Sequence, residues 1–380
     1  MVVHLHWQGT SSLQYPVKNY RIRLYDEFGE KYMYSPFPNG IKENLFCLKA
    51  DMMDSAHYRN TGNATYINDN LYSGTLNPAQ QIDANVRNTI DGFPINLYIN
   101  GEYIGVFNFN NDKSDKKVFG LTKSFPQCIS YEVSANSNTT AGAFNKWTSA
   151  TGLTEKQYYY NDFELRYSSR SQDADENNWD ITPLKTLVDW VSDADETEFR
   201  TNLDQHFNRR YLIDYYIFTM TAGLIDNFGK NMMLTTWDSQ IFYPQFYDCD
   251  SCLSLNNSGY RRYDPYIEVT PDVFNTSDSK LWTKLTQYLW DEIVVRYREL
   301  RNSVLTYDRL MEYYYGHQIS KIPERLYNTD MNTKYLNHTE YLFMLHGNDL
   351  EHLKSWLSKR ISFLDNFFDY AFDENNTITI

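Results

Sequence analysis

The run "PINLYINGEYIGVFNFN", residues 94–110, constrains the fold of this chain most strongly. Two alternating apolar segments flank the dipeptide Asn100-Gly101. Both residues tolerate a positive φ, which a two-residue type I′ turn requires at its two central positions. The run therefore predicts an antiparallel hairpin, and we expect the first third of the chain to be rich in β-structure around it.

Two further segments near the start alternate in the same way. Val2–Trp7 places His4 and His6 on one face of a strand, and Tyr20–Tyr25 forms a second alternating run. The i, i+2 spacing of the two histidines is compatible with metal ligands and equally with surface residues of a strand. Met52–Tyr58 is predicted to form a short helix.

Apolar residues at helical spacing dominate the second half of the chain. Pro183 favours a helix that starts at Thr182, because proline is well tolerated in the first helical turn. The other predicted helical stretches are Thr197–Leu224 with a break near Asp204, Ser279–Arg301, and at least one helix within Glu340–Phe372. Between them, Asn231–Trp237 and Ile241–Tyr247 are predicted to form a hairpin that turns at residues 238–240.

These elements predict an α+β protein with an atypical protein-kinase-like, two-lobed fold. Residues 1–135 form the β-rich N-terminal lobe, which we expect to be truncated at its start. Residues 136–180 form a crossing loop, since the stretch from Tyr131 to Tyr160 is rich in Ser, Thr, Asn, Ala and Gly. Residues 181–380 form the helical C-terminal lobe, with the β-hairpin as an insert.

The composition limits the class of partner. A formal net charge of -14 argues against general nucleic-acid binding, which requires a basic face. No run approaches the ~18 apolar residues of a membrane span, and the first residues lack a signal-peptide pattern. An aromatic content of 17% excludes a disordered chain, and the abundance of Tyr and Asn indicates an extracellular or particle-bound protein.

One constellation is compatible with phosphoryl transfer. Asp226 and Asn231 stand five residues apart after a predicted helix, and a hairpin then leads to Asp248 and Asp250. In kinases an Asp orients the attacking hydroxyl, while an Asn and a second Asp hold the metals that bridge the phosphates. The alternative is a helix C-cap and turn in which the Asp side chains bond the backbone.

Beyond these patterns, the chain resembles the CotH family, which comprises atypical spore-coat kinases and relatives in bacteriophage tail proteins. Order and spacing of the matching stretches agree with the family pattern over nearly the whole chain. Gly9–Ser12 and the loop starting at Ala143 look more like the phage branch. The matching stretches are Gln8–Ser12, Lys18–Leu24, Leu48–Asn60, Tyr98–Phe107, Asp226–Asn231 with Tyr247–Asp250, and Trp356–Asp365.

The resemblance implies site residues only where motifs match. Asp226 takes the place of the catalytic Asp, and Asn231 and Asp248, with Asp250 as neighbour, that of the metal ligands. Lys18 takes the place of a phosphate-facing lysine. The family's common acidic residue after the strand that ends near Phe107 is not evident here, and only Asp112 could substitute.

The other candidate nucleotide contacts, Arg59 and the stretch Gly9–Ser12, each allow two interpretations. Arg59 is implied either as a phosphate contact or as a structural partner of Asp54. The stretch Gly9–Ser12 lacks both the P-loop pattern and the glycine-rich pattern of ordinary kinases. It is therefore either a hairpin connection over phosphates, with Ser11 and Ser12 as contacts, or a plain turn.

Two functions follow from the resemblance. The first is an ATP- and Mg²⁺-dependent kinase that transfers phosphate to Ser or Thr of a protein partner in a tail or coat. The second is a catalytically silent structural or host-adhesion module of a phage tail, without a cofactor. Both imply a virion tail or another extracellular, particle-associated location, protein partners, and a homo-oligomer within the particle.

Overall fold

A computed structural model describes residues 1–9, 11–37, 40–113, 116–134, 144, 159–160, 163–169, 181–256, 258–261, 279–345 and 349–371. The strands are β1 Val2–Gln8, β2 Asn19–Tyr25, β3 Leu45–Lys49, β4 Gly92–Ile99, β5 Glu102–Asn111, β6 Ile129–Ser134, β7 Tyr159–Tyr160, β8 Phe163–Ser168, β9 Lys230–Thr236 and β10 Phe242–Phe246. The α-helices are α1 Arg59–Tyr66, α2 Thr182–Asp193, α3 Glu196–Asn202, α4 Arg209–Ala222, α5 Lys280–Tyr288, α6 Trp290–Arg301, α7 Tyr307–Met311, α8 Glu324–Met331 and α9 Leu350–Phe367.

The first sheet has the order β1-β2-β3-β5-β4, with antiparallel neighbours. Asn100 (φ +52°) and Gly101 (φ +85°) connect β4 to β5, so the predicted hairpin and its turn are confirmed. β1 and β2 are also confirmed, and His4 and His6 are exposed on β1, as expected of surface residues of a strand. β1 lies at the edge of the sheet.

The second sheet has the order β10-β9-β6-β8-β7. The predicted β9–β10 hairpin is confirmed, and β6 pairs with β9 along most of its length, which the sequence did not predict. A loop from Tyr131 onward is wrong, because Tyr131 is a buried residue of β6. Most of the predicted crossing loop, including Ala143, lies outside the described residues.

The predicted helix Met52–Tyr58 is wrong. Residues 52–57 form turns, and α1 begins only at Arg59. Two residues adopt left-handed backbone conformations there, Asp51 with φ +49° and His57 with φ +59°. A left-handed residue interrupts a right-handed helix, and the Asp54 carboxylate accepts the Arg59 backbone N–H where the helix starts.

The helices of the second half agree well with the apolar pattern. α2 carries Pro183 in its first turn, and a short 3₁₀ turn separates α3 from α4 where the break was expected. The stretch 279–301 forms two helices, because Leu289 (φ -120°, ψ +24°) leaves the helical conformation. No helix among the described residues has both the length and the apolarity to cross a membrane.

Helices and sheets share most of the buried side chains. A large cluster combines residues of α1, β6, β9 and β10 with the helices of the second half. A smaller cluster lies between the first sheet and residues 331–345. The α+β class is thereby confirmed, whereas the kinase-like lobes and their boundaries at 135 and 180 stay predictions.

Candidate active site

Asp226 lies in a short 3₁₀ turn, residues 225–228, that follows α4. The helix itself ends at Gly223, whose φ of +65° is typical of a C-terminal cap. Among the described residues nothing donates a hydrogen bond to the Asp226 carboxylate. The expected helix-cap alternative therefore belongs to Gly223, and the Asp226 side chain is left available.

The hairpin returns Asp248 to the turn that carries Asp226. The Tyr247 N–H donates to the Asn231 carbonyl oxygen (3.1 Å). The Asn227 side-chain amide donates to the carbonyl oxygens of Asn231 (3.3 Å) and Tyr247 (3.1 Å), which ties both ends of the hairpin to the Asp226 turn. Asn231 and Asp248 have φ values of +54° and +50°. Such backbone strain is concentrated at functional sites in proteins.

Helix α1 holds the segment that follows Asp248. Asn60 accepts the Cys249 N–H (3.0 Å), and the Asn63 amide donates to the Cys249 carbonyl oxygen (3.1 Å). Arg59 donates to the Cys252 carbonyl oxygen (3.1 Å) and pairs with Asp54 (2.5 Å). These contacts fix the backbone around Asp250.

Arg59 is completely buried, and the structural pair with Asp54 that the sequence offered as an alternative is present. Its guanidinium is already surrounded by Asp54, the loop carbonyls and the Tyr58 ring, 4.7 Å from the ring centroid. A buried cation whose donors are occupied has little capacity for a phosphate. The phosphate contact of Arg59 therefore receives no support from this geometry.

The three carboxylates influence one another. Burial raises the pKa of Asp226, and the charge of Asp248 raises it further, while Lys230 lowers it. Burial also raises the pKa of Asp250 well above its usual range, with the Asp248 charge as the next cause and Lys49 opposing it. Like charges gathered in a partly buried site favour a cation between them.

Lys49, the last residue of β3, faces these carboxylates. Burial alone would lower the pKa of Lys49, but the charge of Asp248, followed by Tyr247, Cys47 and Asp250, raises it well above its usual value. Its ammonium makes no hydrogen bond and no close ion pair with the described residues. Lys49 is thus close enough to Asp248 for their charges to interact, without a direct ion pair between them.

Lys18 has a different environment. Its ammonium donates to the carbonyl oxygens of Leu13 (2.7 Å) and Tyr15 (2.5 Å) and lies 5.9 Å from the centroid of the Trp7 ring. No contact among the described residues links Lys18 to Asp226, Asp248 or Asp250. Lys18 therefore closes its own loop, and its catalytic and phosphate-binding roles stay predictions without geometric support.

The connection between β1, which ends at Gln8, and β2, which begins at Asn19, contains a 3₁₀ turn at Ser11–Gln14. A Cβ on Gly9 would meet the Ser12 hydroxyl at 1.9 Å, and the φ of +125° strains any residue with a side chain, so both features favour glycine there. Ser12 accepts a hydrogen bond from the Asn19 amide (3.3 Å). Burial raises the pKa of Tyr15, and the Asp250 charge raises it further, so the loop approaches the carboxylates. Ser11 lies in the same 3₁₀ turn, and both alternatives for the two serines stay open.

Asp112, the only acidic residue able to replace the missing family position, is fully buried. It accepts two hydrogen bonds from Arg21 (2.8 and 3.0 Å) and one from the Cys47 thiol (3.1 Å). This pairing connects β2, β3 and the end of β5. Asp112 therefore stabilises the face of the sheet on which Lys49 also lies.

The donors at the site fit Mg²⁺. The Asp248 and Asp250 carboxylates and the Asn231 amide oxygen are hard oxygen ligands, which Mg²⁺ prefers. Within the described ranges, no group of three or more His, Cys, Asp or Glu side chains is placed so that it could hold a metal ion by itself. An open set is nevertheless suitable, because Mg²⁺ usually takes one or two carboxylates together with phosphates and water.

A separate surface pocket of about 580 Å³ lies between α4 and α6. Its arginines face carboxylates, with Arg209 3.0 Å from Glu292 and Arg296 2.6 Å from Asp214. These pairs already compensate the cations. The pocket is therefore a less suitable phosphate-binding site than the surroundings of Lys49, whose ammonium has no ion pair with the described residues.

Sequence reasoning missed two residues of the site. Lys49 stood inside the matching stretch Leu48–Asn60, but nothing in that stretch indicated that its charge interacts with Asp248 and Asp250. Asn227 lies between Asp226 and Asn231 and was not predicted as a site residue. Its position inside the Asp226–Asn231 spacing was the one available signal for its bridging amide.

The chain is thus an α+β protein in which a turn, a hairpin and a strand end bring an Asp–Asn–Asp set next to a lysine. A family model described as CotH kinase protein matches residues 5–364. Because this match covers nearly the whole chain, the protein belongs to the CotH kinase protein family. No curated protein matches the chain.

Proposed function

We propose that this protein binds ATP with Mg²⁺ and transfers phosphate to Ser or Thr of a protein partner in a virion tail or coat. Asp226 accepts the proton of the attacking hydroxyl, and Asn231, Asp248 and Asp250 hold the metal. Lys49 contacts the phosphates. The return of Asp248 to the turn that carries Asp226, held by the Asn227 side-chain amide, carries the proposal.

Each residue has a task that its surroundings support. The raised pKa of Asp226 brings a general base closer to neutral pH, where proton transfer is most effective. Bound Mg²⁺ neutralises the charge of the phosphates when it is present. The Asn227 bridge keeps Asn231 and Asp248 at a constant separation, so that the metal ligands require little rearrangement.

A silent structural or adhesion module of a phage tail is the second candidate. β1 is an edge strand, and Val3 (46%), Leu5 (40%) and Trp7 (69%) are exposed on one of its faces. Exposed edge strands with apolar side chains are sites of association with other chains. This surface favours assembly into a particle, as a homo-oligomer or with another tail protein, and assembly is compatible with an active site.

Thermal unfolding with and without Mg-ATP tests the proposal. A ligand at 100 times its dissociation constant stabilises a folded protein by about 2.7 kcal/mol. We expect this gain in the wild type and its loss in Asp248→Ala, because one metal ligand is missing. Glu196→Ala, on the exposed start of α3, removes the same charge and should behave as the wild type.

The possible results separate the two functions. Equal stabilisation of the wild type and Asp248→Ala contradicts the metal-ligand assignment. No effect of Mg-ATP on any of the three proteins favours the silent module.

A further inference from the structure

A histidine is buried between two carboxylates beneath the candidate site. His57 Nδ1 lies 3.2 Å from Asp51 Oδ2, and His57 Nε2 lies 2.9 Å from Asp330 Oδ2. The side chain of His57 is completely buried, as is that of Asp330, and Asp51 is 7% exposed. The left-handed backbone of His57 (φ +59°) shows that the surrounding contacts determine its conformation.

A lysine completes this charge network. Lys334 Nζ lies 2.9 Å from Asp330 Oδ1 and donates to the carbonyl oxygens of Ala50 (2.7 Å) and Val106 (2.6 Å). Asp330 also accepts the Val106 N–H (2.7 Å). Ala50 directly follows Lys49, so the lysine ammonium joins the end of β3 to β5.

The same helical segment, residues 324–336, holds the loop 50–57 at two further points. The Tyr335 hydroxyl donates to the Met52 carbonyl oxygen (2.8 Å), and the Tyr327 hydroxyl donates to the Ala56 carbonyl oxygen (2.9 Å). Close packing supports these bonds, since a Cβ on Gly105 would meet Asp330 Oδ1 at 2.5 Å. Several contacts therefore hold the loop against the helical segment.

The geometry indicates a protonated His57. An ionised carboxylate only accepts hydrogen bonds, so two such partners require a proton on both ring nitrogens. Asp51, His57, Asp330 and Lys334 then alternate in charge and sum to zero. Burial and the Lys334 charge lower the pKa of His57, but the hydrogen bonds to Asp330 and Asp51 outweigh them and raise it. The groups that interact with His57 are Asp51, Asp330, Lys334 and the Tyr327 ring, and Asp54 and Tyr335 interact with its two carboxylate partners.

We propose that His57, held as an imidazolium between Asp51 and Asp330, is a positioning residue that locks the end of β3 and so keeps Lys49 directed toward Asp248. The effect on nucleotide binding rests on the proposed function, whereas the lock itself does not. Loss of the proton leaves a net negative charge in a buried network, which favours opening of the loop. His57 thus couples the Lys49 side of the site to pH.

Nitrogen NMR of ¹⁵N-histidine-labelled protein tests the protonation, with His57→Gln to assign the signal. We expect both ring nitrogens of His57 to carry protons at pH 7.0, and a neutral ring at that pH overturns the proposal. The stability of the wild type relative to His57→Gln should be greatest below pH 6.5, the ordinary pKa of His, and should fall as pH rises through the raised pKa.

Labelling of Lys49 with an amine-reactive ester, followed by mass spectrometry, tests the positioning. We expect His57→Gln to increase the labelling rate of Lys49 by about tenfold. Residues that support a ligand from behind often have effects of this size when they are replaced. His206→Gln is the matched control, since His206 is half-buried and stacks on Trp190 (ring centroids 4.0 Å). Labelling of Lys49 at the wild-type rate in His57→Gln overturns the positioning role.

Mg-ATP titrations then connect the lock to function. We expect His57→Gln, but not His206→Gln, to weaken binding by about tenfold. A wild type that binds no Mg-ATP contradicts the proposed function and leaves the NMR and labelling results to decide on the lock. Faster labelling of Lys49 together with unchanged Mg-ATP affinity overturns the link between His57 and the nucleotide.

Discussion

The end of β3 and the connection between β1 and β2 both carry a lysine on the first sheet, but the two lysines differ in what satisfies their charge. Lys18 donates to two carbonyl oxygens of its own loop. The Lys49 ammonium makes no hydrogen bond with the described residues, and the charge of Asp248 raises its pKa against the effect of burial. An ammonium whose donors are occupied stabilises a turn, whereas an ammonium with open donors can bind a ligand.

The contacts that hold the backbone also differ between the two lysines. The Lys18 loop is closed by local features, the glycine at position 9 and the hydrogen bond that the Asn19 amide donates to Ser12 (3.3 Å), and Tyr341 adds one distant contact through its hydroxyl to the Gln14 carbonyl oxygen (3.4 Å). The Lys49 strand end depends on distant residues, because Lys334 and Asp330 hold it from a segment nearly 300 positions away. A ligand-binding lysine needs such external support, since it cannot hold itself in place.

The largest effect should be on phosphate transfer, when Asp226 on the carboxylate side of the site is replaced. Asp226→Asn keeps the size of the side chain but removes the proposed base, and general-base catalysis contributes about 10²–10⁴-fold. Purified protein incubated with labelled ATP, Mg²⁺ and candidate tail or coat partners should transfer label, and the variant should lose it to this extent. Equal label in both proteins, or none in either, favours a scaffold without the reaction.

The next largest effect should be on Mg-ATP affinity, when each of the two lysines is replaced by methionine in a separate variant. Lys49→Met removes a charge-assisted contact to phosphate worth about 1.5–3 kcal/mol, which corresponds to roughly 10–100-fold in the Mg-ATP dissociation constant. Lys18→Met is the matched control and should change this constant by less than about threefold. Calorimetric titration measures both. The reverse order would restore Lys18 as the phosphate-facing residue and exclude Lys49.

The two lysines also show how far the sequence could lead. Both hairpins were predictable, because Asn100-Gly101 and the alternating runs beside residues 238–240 act over a few positions. The Asp226–Asn231 spacing and Asp248 were found for the same reason. Whether Lys18 or Lys49 lies near Asp248 depends on contacts between segments far apart in the sequence, and such contacts leave no local signal.

The failed helix Met52–Tyr58 has a related cause. Its apolar pattern is helical, but His57 adopts a left-handed conformation because Asp330, 273 residues later, binds its ring. Helical propensity is a weak prior that tertiary contacts override. The wrongly predicted stretch Met52–Tyr58 thus contains His57, which contacts Asp330 and supports the site without belonging to it.

Gly9→Ala should sharpen the comparison from the Lys18 side. A side chain at φ +125° is strained by about 1–3 kcal/mol, and the new Cβ would displace Ser12. We expect a lower free energy of unfolding in urea but a change in Mg-ATP affinity of less than about threefold. A larger loss of affinity would show that Ser11 and Ser12 cover the phosphates, the alternative that the structure leaves open.

The smallest effect concerns stability without metal. Burial and Asp248 raise the pKa of Asp226 above the ordinary value of 3.8. A carboxyl group with a raised folded pKa contributes stability that is complete below the unfolded pKa and lost as pH rises through the folded pKa. Asp226→Asn avoids this loss, so at pH 7 in EDTA it should be more stable than the wild type, by about 0.5–2 kcal/mol.

Urea unfolding between pH 3.5 and 7 measures this difference, and the two proteins should converge at the acidic end of the range. Lys230 opposes the effect by lowering the pKa of Asp226. In a Lys230→Met background, the stability difference between the protein with Asp226 and the Asp226→Asn variant should therefore be larger. A wild type that is more stable than Asp226→Asn at pH 7 would mean that the carboxylate forms favourable contacts in the metal-free protein. Asp226 would then resemble Lys18, a residue satisfied by its surroundings, and not Lys49.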